Sequence, residues 1–151
     1  MSGSVVSGSC LCGGVRFEID GQLTPIQYCH AARCRKVTGS AFAAEVAAKA
    51  SGFRWIEGED LVTVYEAPLL REPPAYRNAF CRTCGSPLPV ALGGTEWVVL
   101  HAGVLDGDVE TRPIHHIFVG QNPSWHTISD ALPQFEQHAR VGERLPRKIA
   151  P

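Results

Sequence analysis

The chain has 151 residues, six of them cysteine, with 44% hydrophobic and 19% charged residues and a formal net charge of −1. That length and balance support one folded domain with its own core and exclude a disordered chain. The near-neutral charge leaves no electrostatic footprint for nucleic acid or an anionic membrane, and no apolar run is long enough to span a bilayer.

At the N-terminus, MSGSVVSGSC lacks the charged and apolar regions of a signal peptide, so residues 1–8 read as an extension and the setting as cytoplasmic. In a reducing compartment six cysteines suggest metal ligation or thiol chemistry more than a disulfide framework. Val15, Phe17 and Ile19 then alternate with Arg16, Glu18 and Asp20, a period-two strand that Gly21 ends. Residues 41–50, AFAAEVAAKA, favour helix by propensity, yet so many alanines supply little apolar stripe, and propensity leaves the segment open. Residues 61–65, 75–80, 97–104 and 115–119 suit strands, punctuated by Pro73-Pro74, Gly93-Gly94 and Gly107. The end, residues 136–151, is a tail made basic by Arg140, Arg144, Arg147 and Lys148, and is expected to be solvated. No internal repeat or linker divides the domain, and the visible pattern is mostly β.

Two cysteine knuckles carry the strongest chemical signal. One is Cys10-Leu11-Cys12-Gly13, the other Cys81-Arg82-Thr83-Cys84-Gly85. Each sets two thiols close together, and the glycine after the second permits the φ-positive turn that aims backbone N–H groups at sulfur. Four thiolates suit a tetrahedral zinc with no open position, hence a structural site. Such a site contributes on the order of 10 kcal/mol or more to folding. The competing reading is four unrelated buried cysteines.

Cys29 and Cys34 remain, within YCHAARCRKVTGSAF. They read as a metal site short of a ligand, as a reactive or redox thiol pair, or as incidental cysteines in a loop. Arg33, Arg35 and Lys36 would lower a nearby thiol pKa and attract an anionic substrate, or simply form a solvated face. His30 is adjacent to Cys29, and neighbours on extended backbone point opposite ways, so both reach one metal only through a special turn.

GSCLCGGVRFEI, YCHAARCRKVTGSAF, FCRTCGSPL, HIFVG, Trp125 and LPQF, in that order, resemble the glutathione-dependent formaldehyde-activating enzyme family, also found in centromere protein V. The resemblance runs over residues 9–135. It implies an all-β fold, a zinc-bearing β-tent of bent antiparallel sheets, and therefore a strand at 40–46. It also implies a structural zinc on Cys10, Cys12, Cys81 and Cys84. The family's second, catalytic zinc is held by a C-H-C-x-x-C segment; Cys29, His30 and Cys34 match it, but Ala31 stands at the middle cysteine. His101 and His116 are candidate replacement ligands by residue type alone.

The resemblance implies a carbon–sulfur lyase-like enzyme acting on a small thiol adduct such as S-hydroxymethylglutathione, with glutathione as co-substrate. Cys29 and Cys34 would hold a labile second zinc or act as thiols, and Arg35 or Lys36 would steer a substrate carboxylate. The alternative is a non-enzymatic zinc-stabilised β-module that binds a protein or small ligand. Neither nucleic acid nor membrane is an expected partner, and the sequence does not give the oligomeric state.

Overall fold

The computed structural model describes residues 4–67 and 76–139. Pro73-Pro74, residue 75 and the basic tail from Arg140 onward lie outside the described residues. The domain is mostly sheet and contains two compact units, Met1–Thr24 with Val46–Glu110, and Pro25–Glu45 with Thr111–Pro151.

In the first unit, β1 (Val5–Ser9), β2 (Arg16–Asp20) and β5 (Phe53–Glu57) form an antiparallel sheet in the order β1-β2-β5. The alternation read from the sequence decides its buried face, because Val15, Phe17 and Ile19 are all buried. Phe17 also meets the rings of Phe53 and Trp55, the latter edge-on at 6.1 Å. Gly8 pairs with Phe17 across the ladder, and a Cβ there would lie 2.0 Å from the Phe17 ring. β1 occupies the segment expected as an extension; its Val-Val-Ser-Gly-Ser run has too little apolar alternation to announce a strand.

A second antiparallel sheet runs β6 (Val62–Glu66), β7 (Arg77–Cys81), β8 (Pro87–Leu88). Cys10, Val15, Ala79, Cys81 and Leu88 form a core cluster, with Trp55 and Leu61 packed against it. β9 (Val90–Ala91) pairs antiparallel with β10 (Trp97–His101). The expected strand at 97–104 ends at His101, where residues 102–104 turn as a 3-10 helix.

In the second unit β3 (Ile26–Cys29) lies between β11 (Pro113–Ile117), which runs parallel to it, and β4 (Ala43–Lys49), which runs antiparallel. The first three residues of β4 belong to this unit and the rest to the other. The strand that the resemblance implies at 40–46 is present but lies three residues later, at 43–49, because ladder pairing and burial of Ala43, Val46 and Ala48 override the helix preference of alanine. Between β3 and β4 the chain makes one short helix, α1 (Ala32–Thr38), ended by Gly39 in the left-handed conformation at φ 63°. Cys29, Ala31, Cys34, Ala43, Ile117 and Phe135 pack together as this unit's core.

Candidate metal centres

The first centre is built by two tight turns. Cys10 follows β1 directly, and Gly13 at φ 76° lets its N–H return to the Cys10 carbonyl at 3.0 Å. Cys81 ends β7, and Gly85 at φ 77° makes the same closure onto the Cys81 carbonyl at 2.8 Å. Ser86 links the turns, its hydroxyl accepting from the Leu11 N–H at 2.9 Å. The four Sγ atoms of Cys10, Cys12, Cys81 and Cys84 all lie within 4.8 Å of one another.

Cys10 and Cys12 sulfurs are 3.5 Å apart, and those of Cys12 and Cys81 are 3.9 Å apart. A tetrahedral metal about 2.3 Å from each sulfur requires S···S edges of about 3.8 Å, and these two edges lie close to that length. Hydrogen-bond donors surround the sulfurs and lower two of the four thiols, Cys81 and Cys84. The Val15 N–H reaches Cys10 Sγ at 3.3 Å. The Ser86 hydroxyl and N–H, with the Cys12 N–H, pull Cys84 down to about 5. The Cys84 and Thr83 N–H groups lower Cys81 despite its burial. At Cys12 the Gly14 N–H lowers the thiol, but the neighbouring sulfurs and desolvation outweigh it and push it up to about 11.

The second centre gathers at the end of β3. Cys34 Sγ, on the buried side of α1, lies 2.9 Å from Cys29 Sγ and 3.2 Å from Glu45 Oε1. These three ligand atoms also lie within 4.8 Å of one another. The Cys29 thiol, burial and the Glu45 charge all hold Cys34 well above the usual thiol range. Ala31 is buried against both cysteines.

The histidines do not join the sulfurs. His30 leaves β3 and turns to Asn122 Oδ1 at 3.0 Å and to His116 Nδ1 at 2.8 Å, while His116 Nε2 meets the Asp130 carboxylate at 3.0 Å. Asn122 uses its amide NH₂ on the His126 carbonyl, so both ends of this row are acceptors. Burial and His116 push His30 down to about 4 and keep it neutral. His116 is thus committed elsewhere, and His101, at the end of β10, belongs to neither cysteine group.

Arg35 and Lys36 fall in the last turn of α1. Lys36 is exposed; Arg35 is half-buried, and its buried Nε has no hydrogen-bond partner among the described residues. Glu45 was not foreseen as a site residue. Its one sequence signal is that it is the single acid in the alanine-rich run at 41–50. Its meaning appears only in the register: Cys29 pairs with Ala43 and Gln27 with Glu45, so Glu45 and Cys29 are diagonal neighbours on one face.

The family model described as glutathione-dependent formaldehyde-activating enzyme matches residues 5–121. The chain belongs to this family. Its match contains both cysteine groups and Glu45, and it starts with β1. A Halomonas elongata protein provisionally named as a glutathione-dependent formaldehyde-activating enzyme is 27% identical over 130 residues, covering 82% of this chain and 81% of its own. A Rhodobacter sphaeroides protein of known crystal structure shares the fold, with a TM-score of 0.50 and 24% identity over 71% of this chain and 98% of its own. No helix among the described residues is long and apolar enough to cross a membrane.

Proposed function

We propose that this family member is a zinc-dependent carbon–sulfur lyase-like enzyme acting on a small thiol adduct such as S-hydroxymethylglutathione. The observation that supports the reading is the convergence of Cys29, Cys34 and half-buried Glu45, two of them in a segment that resembles the family's catalytic one. Cys10, Cys12, Cys81 and Cys84 would hold a structural zinc, since a complete thiolate shell has no room for substrate. At the second centre zinc would stabilise a substrate thiol as thiolate near neutral pH.

In the reaction, the substrate sulfur adds to the formaldehyde carbon. A carbon–sulfur bond forms, the carbonyl π pair moves to oxygen, and the proton lost from sulfur ends on that oxygen. The reverse reaction breaks the same bond and releases aldehyde and thiol. The chain's own residues bind and orient. The cations of half-buried Arg35 and exposed Lys36, in the last turn of α1, would draw a carboxylate of glutathione from solvent.

A second reading, a non-catalytic zinc-stabilised module, is favoured by Ala31, a buried methyl where the family's catalytic segment has a ligand. Exchange spectroscopy on mixtures of glutathione and formaldehyde separates the two. The zinc-loaded chain is expected to speed adduct formation and breakdown, and Arg35→Ala to weaken the effect mainly through KM. Exchange at the uncatalysed rate with zinc present would support the module instead.

A further inference from the structure

The second centre lacks the family's middle thiolate, but the fold offers another anion in reach. Glu45 is half-buried and forms no ion pair among the described residues. Its Oε1 lies 3.2 Å from Cys34 Sγ. Its other oxygen receives a long hydrogen bond, 3.5 Å, from Gln27 Nε2. Gln27 is itself held, because its Oε1 lies 3.1 Å from His115 Nε2. His115, Gln27 and Glu45 form one row across β11, β3 and β4, each paired with the next in the ladder. The row presents one carboxylate oxygen to Gln27 and leaves the other facing the two thiols.

We propose that Glu45 Oε1 is the third protein ligand of a metal centre with Cys29 and Cys34, so that this chain carries two sulfurs and one oxygen where its family carries three sulfurs. Two thiolates and a carboxylate bring the same formal charge of −3 as three thiolates, and a divalent metal is neutralised to the same extent. Tetrahedral geometry places sulfurs about 3.8 Å apart and a sulfur about 3.6 Å from a carboxylate oxygen. From separations of 2.9 and 3.2 Å the donors need move apart by less than about 1 Å. Three protein ligands also keep the fourth position for a substrate atom. A carboxylate is harder than a thiolate, so the centre holds zinc less tightly than a three-thiolate one and exchanges it more readily. The proposal rests on the reading that Cys29 and Cys34 bind metal, but it needs no turnover.

Competition between the protein and a chromophoric zinc chelator, under a phosphine reductant, gives the test. The unaltered chain is expected to bind two zinc ions, the second more weakly. Glu45→Gln keeps the shape and the Gln27 neighbour but lacks the anion; it should retain the first zinc and lose roughly 100- to 1000-fold in affinity for the second. Ala31→Cys with Glu45→Gln should recover the second zinc, because the family's own ligand is restored. Cobalt(II) absorption should report two thiolates at the second centre of the unaltered chain and three in the Ala31→Cys, Glu45→Gln double variant. A second zinc held equally well by Glu45→Gln would overturn the role of Glu45. A second zinc that survives Cys29→Ser with Cys34→Ser would overturn the location of the centre, and with it the proposed active site.

Discussion

His30 and Glu45 show how one residue's setting decides its chemistry. His30 stands beside Cys29, a proposed metal ligand, yet the end of β3 turns it to Asn122 and His116. Its folded pKa of about 4 lies below the roughly 6.5 of an unfolded histidine. Between those values the unfolded chain binds the extra proton, so stability is complete above about pH 6.5 and falls as the pH drops toward 4. His30→Gln removes that titration. Thermal melts from pH 7 to 4 should therefore show the unaltered protein losing stability relative to His30→Gln as the pH falls. A constant difference across the range would mean that His30 is not neutral in the folded state. Asp130 works in the same direction at lower pH: burial raises it, but hydrogen bonds from His116 and the Leu132 N–H outweigh that and lower its carboxyl, so its contribution is present above the usual carboxylate range and lost below it.

Among the elements, β1 and β2 depend on an unusually close approach. Gly8 faces Phe17 across the ladder, and the buried Phe17 ring is fixed by Phe53 and Trp55. Gly8→Ala would drive a methyl into that ring and should cost about 1–3 kcal/mol. Chemical denaturation should show it as a lower midpoint with an unchanged slope; an unchanged midpoint would mean that the pair of strands simply separates to admit the methyl.

How much could be read from the sequence follows from how each element earns its burial. β2 was legible because Val15, Phe17 and Ile19 alternate onto one buried face. The cysteine knuckles were legible because each half-site is local, two thiols and a glycine within five residues. β3 has only four residues, and α1 buries only Cys34, so neither leaves a period to detect. β4 hides behind the helix propensity of its alanines, and Glu45 becomes a site residue only when β3 and β4 fall into register. Local chemistry is written in spacing; chemistry assembled across a ladder is not.

At the scale of the whole molecule, each candidate metal centre is contained in one compact unit. Cys10, Cys12, Cys81 and Cys84 belong to the first, and Cys29, Cys34 and Glu45 to the second. The first centre closes a chain loop of about seventy residues, so metal there removes considerable freedom from the unfolded state. The second closes only a short loop and contributes little to holding the chain together. One centre is therefore expected to serve the fold and the other the chemistry.

Zinc content and melting temperature followed together through graded chelation, under reductant, test that division most directly. The account predicts two zinc ions per chain, the first lost with little change in melting temperature and with all carbon–sulfur activity, the second lost only with unfolding. Loss of activity and of fold at the same zinc, or a protein that stays folded with none, would contradict it.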